Sequence, residues 1–115
     1  MDERTLSSQP TFGVVPTADL CTSMQVIDVR RAAAFAAAAE LVEGAGWKDP
    51  AAVDAWAGDV DSSRPVVVYC VHGQEVSQST ALALRARGID AHYLFGGIEA
   101  WKASGLPTQP KGARP

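Results

Sequence analysis

Apolar positions along this chain fall in short dense runs separated by polar turns. Val66-Val67-Val68-Tyr69-Cys70 is largely β-branched and enters through Pro65, which predicts a short buried strand. Met24-Gln25-Val26-Ile27-Asp28-Val29, closed by Arg30-Arg31, predicts a second. Phe12 to Val15 reads as a short edge strand before Pro16, and Ile89 to Leu94 as another strand, bearing His92 and Tyr93.

Between these runs the pattern turns helical. Ala18 to Ser23 reads as one short helix with Thr17 as its cap. Arg31 to Val42 is dominated by alanine, the best helix former, and Phe35, Leu41 and Val42 supply its buried contacts. Glu43-Gly44-Ala45-Gly46 breaks that helix. Asp49-Pro50 then places an N-cap and a first-turn proline ahead of a helix to Ala57, with Val53 and Trp56 on its inward face. Ser77 is a candidate N-cap for a helix reaching Arg87, which Gly88 ends. Phe95-Gly96-Gly97 is a tight turn into a last helix, Ile98 to Ser104, stopped by Gly105 and Pro107. Strands alternating with helices predict an α/β fold with a mainly parallel sheet covered on both faces. The polar segment 1–11 and the tail 108–115 are expected to be flexible ends around one domain at 12–107.

Bulk properties narrow the function. A chain of 115 residues that is 47% hydrophobic and 20% charged is an ordinary globular domain. Its net charge of −3 recommends neither nucleic acid nor an anionic membrane surface as partner. No apolar run approaches the ~20 residues of a membrane span. Two cysteines and a polar start without a signal peptide's apolar core predict free thiols in a reducing cytoplasm. No His/Cys cluster with zinc spacing, P-loop or dinucleotide fingerprint is present, so neither metal nor cofactor is expected.

The chemistry concentrates at Cys70. It stands at the carboxyl end of a strand where a loop, Val71-His72-Gly73-Gln74-Glu75-Val76-Ser77, turns into a helix, and ligands of open α/β sheets bind at that edge. Loop N–H groups and the positive helix end favour the thiolate there, which is the reactive form. The competing reading is a cysteine packed as a small hydrophobe. Cys21 has no charged or Gly-rich setting, so packing is its expected role. Asp28, a carboxylate ending a buried strand, needs partners, and capping of backbone or pairing with Arg30 or Arg31 competes with a direct catalytic role. His92 is expected to be structural.

Taken together, Val26-Ile27-Asp28-Val29-Arg30, Phe35, Glu43-Gly44-Ala45, the strand ending in Cys70, Gly73, Gly88, Leu94-Phe95-Gly96-Gly97-Ile98-Glu99-Ala100-Trp101 and Gly105-Leu106-Pro107 resemble the single-domain rhodanese-like sulfurtransferases. The resemblance spans roughly Pro16 to Pro107. Cys70 to Gln78 is most similar to small bacterial rhodanese-like proteins, some associated with chromate resistance. The resemblance implies a sheet of about five strands with helices on both sides. It also implies a cofactor-free reaction at Cys70. The thiolate takes a sulfane sulfur from a donor such as thiosulfate, becomes a persulfide, and passes it to cyanide, a thiol or a sulfur-accepting protein. A ring of backbone N–H groups suits an anionic persulfide, and Gly73 lets the loop curl to aim them.

Three departures from that family stand out. Leu41-Val42-Glu43-Gly44-Ala45 replaces the usual His-Ile-Pro-Gly-Ala. The loop from Cys70 to Val76 is one residue longer than usual and resembles the phosphatase and arsenate reductase branch of the fold. Val76, however, occupies the position of that branch's arginine, and Glu75 opposes a dianion, so phosphatase activity is not expected. Finally, no Lys or Arg lies between Arg64 and Arg85, which leaves Arg30 or His72 as the sources of positive character. Asp28 and Arg30 are therefore the expected supporting residues. A non-catalytic sulfur carrier or redox-sensing module is the alternative of a different class.

Overall fold

The computed structural model describes residues 11–111. Five strands form one parallel sheet: β1 (Gly13–Val14), β2 (Gln25–Asp28), β4 (Gly46–Trp47), β5 (Val66–Tyr69) and β6 (Ala91–Leu94), in the order β1-β6-β5-β2-β4. The β-branched run around Val66 takes the centre, between β2 and β6. Alternation splits its side chains between two cores. Val66 and Val68 face Ile27, Ala91, Tyr93, Ala81 and Leu84, while Val67 and Tyr69 face Leu20, Val42, Leu94, Ile98 and Trp101. Burial on both faces is why the run carries no polar position.

The connecting helices are α1 (Leu20–Ser23), α2 (Ala32–Ala37), α3 (Val53–Trp56, flanked by 3-10 turns), α4 (Glu75–Arg85) and α5 (Gly97–Ala103). Asp49 caps its segment as expected, its carboxylate accepting from the Ala51 N–H at 2.9 Å. Trp56 is buried, and its indole N–H donates to the Asp49 carbonyl. α4 ends at Arg85, and the chain turns away at Gly88, whose φ of +84° lets Ile89 N–H reach the Leu84 carbonyl.

Several expectations are corrected. The alanine-rich segment is not one helix to Val42: it ends at Ala37, and β3 (Glu40–Val42) follows as a strand. β3 pairs antiparallel with β7 (Thr108–Pro110), so the packed domain continues past Pro107 and the tail is not free there. Lys111 adds a cap, its ammonium lying over the Phe35 ring and donating to the Phe35 and Ala36 carbonyls at the end of α2. A long-range partner thus overrides alanine's local preference. Gly46, read as part of a break, forms with Trp47 the edge strand beside Ile27 and Asp28. The residue preceding α1 is Asp19 rather than Thr17. The expected flexible ends at 1–10 and 112–115 lie outside the described residues.

Candidate active site

Cys70 is the first residue after β5 and is 6% exposed. Its thiol donates to the hydroxyl of Ser77 at 3.2 Å, and Ser77 is fully buried. Ser77 is therefore not the helix cap expected of it. α4 begins two residues earlier at Glu75, with Gln74 at the cap position, so Ser77 sits in the first turn facing the thiol. Cys70 to Gln74 lie outside regular structure, and Glu75 and Val76, expected in the loop, already belong to α4.

The short loop is held from behind. The Cys70 carbonyl accepts from the Ile98 N–H at 3.0 Å, and the Val71 carbonyl from the Glu99 N–H at 3.1 Å. The Gly73 carbonyl accepts from the Gln78 side-chain amide at 3.0 Å. In a trans peptide the C=O and the following N–H point opposite ways. Tying the carbonyls of Cys70 and Val71 to α5 therefore turns the N–H groups of Val71 and His72 away from it. None of the N–H groups from Val71 to Gln74 has an acceptor among the described residues. They form a ready receptor for negative charge on or near Sγ. The helix turn they lead into adds its own positive end.

This close fit explains two glycines. A Cβ on Gly73 would lie 2.5 Å from the Leu94 carbonyl oxygen, and one on Gly97 would lie 2.4 Å from the Cys70 carbonyl oxygen. Both have φ near the left-handed region, +70° and +63°. The Phe95-Gly96-Gly97 turn is thus the back wall of the Cys70 loop.

Asp28 and Arg30 are both buried, and Arg30 lines the same cavity as Cys70. Arg30 grips Asp28 through Nε and Nη2, the latter at 2.6 Å, and its own backbone N–H also donates to Asp28. Arg30 Nη2 further donates to the Glu40 carbonyl. Burial alone would lower the guanidinium's pKa, but Asp28 and Tyr69 outweigh it and hold it above its ordinary value. Tyr69, absent from the sequence-based site, joins the same network. Its hydroxyl donates to Asp28 Oδ2 at 3.1 Å and accepts from the Val42 N–H at 3.0 Å. Burial first, then the Asp28 charge, push that phenol far above its usual range. Asp28 is therefore a paired structural carboxylate, as one of its two readings held. Arg30, expected as a source of positive character, already has its charge matched by Asp28.

Among the described residues lining the site, Arg31 is a cation with no ion pair, and sequence reasoning offered it only as a partner for Asp28. It is exposed and lines a cavity of about 250 Å³ together with Arg30, Cys70, Val71, His72, Gln74, Glu75 and Val76. Its position one residue beyond the buried Asp28–Arg30 pair was the available signal. His72 is exposed in the loop, and Glu75 is exposed at the cavity's rim. Cys21 is half-buried and lies elsewhere, donating to the Glu43 carbonyl at 3.4 Å. Burial and the nearby Glu43 raise its pKa, which keeps it a thiol. Both cysteines are free.

A parallel α/β sheet whose central strand delivers a buried thiol to an amide-lined loop at a helix start defines a thiol-bearing α/β domain. The chain belongs to the rhodanese-like domain family, whose sequence model matches residues 18–104. It is 36% identical over 80 residues to a thiosulfate sulfurtransferase GlpE of Pseudomonas putida, a match taking in 69% of this chain and 70% of that one. With GlpE of Actinobacillus pleuropneumoniae it is 42% identical over 52 residues, or 44% of this chain, and there it spans about half, 47%, of the relative's length. Among solved structures, a full-length protein from Lactobacillus plantarum is similar with a TM-score of 0.71 at 29% identity, over 81% of this chain and 80% of that one. A thiosulfate sulfurtransferase from Pseudomonas aeruginosa shares the fold with a TM-score of 0.71 at 24% identity, over 84% of this chain and 19% of that one. Among the described residues, no helix is long and apolar enough to cross a membrane.

Proposed function

We propose that this chain is a sulfurtransferase in which Cys70 carries the sulfur. The observation that carries this reading is the placement of Cys70 Sγ against the Ser77 hydroxyl, at the start of a loop whose N–H groups from Val71 to Gln74 have no acceptor among the described residues. That setting suits an anion one sulfur longer than a thiolate. Once the thiol has lost its proton, Ser77 is free to donate to the sulfur, and the amides add fixed dipoles with no reorganisation.

Each half-reaction balances without a redox partner. The Cys70 thiolate attacks the outer sulfur of thiosulfate, the sulfur–sulfur bond of the donor breaks, and its electron pair leaves with sulfite. Cyanide or a thiolate then attacks the outer sulfur of the persulfide, and the Sγ–S bond returns its pair to Sγ. Arg31 at the cavity rim faces the sulfonate of the donor, and Glu75 on the same rim opposes it. Asp28 and Tyr69 hold Arg30 rigidly in the wall of the Cys70 cavity. The persulfide reaction should require no metal and no cofactor.

Glu75 is the observation that favours the second reading, a carrier that accepts sulfur from another protein rather than from a small dianion. Mass spectrometry after exposure to thiosulfate tests the proposal. A gain of one sulfur localised to Cys70 supports it. Uptake from a polysulfide but not from thiosulfate supports the carrier, and a Cys70 that takes sulfur from neither overturns both.

A further inference from the structure

The Cys70 cavity does not end at its own rim. It shares Arg31, Glu75 and Val76 with a neighbouring cavity of about 430 Å³, which lies between the first half of α4 and the Asp49–Ala51 turn. That volume falls within the ~300–1,000 Å³ typical of small-molecule sites. Neither thiosulfate nor cyanide needs it. It leaves room for a larger reactant.

The charges on its walls say which kind. Arg31 contributes a guanidinium, and Asp49 and Glu75 contribute carboxylates. Among the described residues, none of the three forms an ion pair. Among the described residues the Asp49 carboxylate accepts only the Ala51 N–H, and Arg31 and Glu75 share the rim without neutralising each other. A plain anion placed here meets two carboxylates, a plain cation meets the guanidinium, and a neutral ligand leaves all three unmatched. A zwitterion answers both signs.

We propose that this second cavity is the acceptor subsite and that it selects a low-molecular-weight thiol of the amino-acid type, with a carboxylate for Arg31 and an ammonium for Glu75 and Asp49. The inference rests on the reading of Cys70 as the sulfur-bearing residue. The acceptor's thiol gives its proton to water, and its thiolate attacks the outer sulfur of the Cys70 persulfide. The Sγ–S bond breaks with its electron pair on Sγ, and the acceptor departs as its own persulfide. Arg31 and Glu75 take no part in bond making, so they are positioning residues that set which thiol arrives.

The test is single-turnover discharge. Cys70 is loaded with excess thiosulfate, or with polysulfide, freed of donor, and mixed with cysteine, cysteamine, mercaptopropionate or mercaptoethanol at matched thiolate concentration. Two partly exposed ion pairs predict that cysteine outpaces mercaptoethanol by about three- to tenfold in the wild type. Glu75→Lys should slow cysteamine and speed mercaptopropionate by similar factors, and Glu75→Gln should do so less. Arg31→Gln should do the reverse, slowing mercaptopropionate and speeding cysteamine. A Cys70 that loads yet discharges equally to all four thiols, or a rank order that the variants leave unmoved, overturns the inference alone. A Cys70 that never loads from either donor overturns the proposed function and takes the inference with it.

Discussion

Cys70 and Ser77 stand with Sγ and Oγ 3.2 Å apart, both withdrawn from solvent, the one just past a strand and the other in the first turn of the next helix. The link spans the whole candidate loop and ties the strand end to the first turn of α4. A hydroxyl rotates freely, so Ser77 accepts from the thiol and donates to the thiolate or persulfide without moving.

Ser77→Ala removes that donor from a charged sulfur. A hydrogen bond to a charged group contributes about 1.5–3 kcal/mol, so sulfur transfer should fall roughly ten- to a hundredfold. Steady-state kinetics with thiosulfate and cyanide read the loss. An unchanged kcat/KM would leave Ser77 with a packing role only.

The buried Tyr69 hydroxyl makes a pH-dependent prediction. Its folded pKa lies above the unfolded one, as does that of Tyr93 through burial. The neutral phenols therefore support the fold fully below the ordinary phenol pKa of ~10, and this support is lost as pH climbs beyond it, where only the unfolded chain releases the protons. The chain has two tyrosines, so phenolate absorbance should appear together with alkaline unfolding and not before it. Tyr69→Phe should cost about 1–3 kcal/mol in urea unfolding, because the Val42 N–H and Asp28 lose a partner in a dry place.

Gly97→Ala should abolish activity and lower the melting temperature. A methyl there overlaps the carbonyl oxygens of both Cys70 and Val71 at 2.4 Å, so the loop must shift. Gly44→Ala is the comparison. Its φ is +83° but nothing lies within 4 Å of the added carbon, so it should cost only the ~1–2 kcal/mol of left-handed strain and leave transfer intact. Equal kinetic effects of the two changes would contradict the packed-wall account.

What the sequence made legible follows from the range of the forces involved. Val66 to Tyr69 is buried on both faces, so its β-branched run speaks for itself, and Asp49-Pro50 announces its cap within three residues. Glu40 to Val42 became a strand only because Thr108 to Pro110 returns to pair with it, a partner that no local window contains. Cys70 was readable from strand end, loop and glycine together. Ser77 was read as a cap because serine prefers that position, but the helix starts two residues earlier, which leaves Ser77 in its first turn beside the thiol. Arg31 was passed over because only the pairing of Asp28 with Arg30 decides which of two adjacent arginines is left free.

The central claim is tested most directly by thiocyanate formation from thiosulfate and cyanide, measured for wild type, Cys70→Ser and Cys21→Ser. Turnover in the wild type and in Cys21→Ser, with none in a folded Cys70→Ser, is the predicted result. Turnover that survives in Cys70→Ser, or that vanishes in Cys21→Ser alone, would contradict the assignment of Cys70.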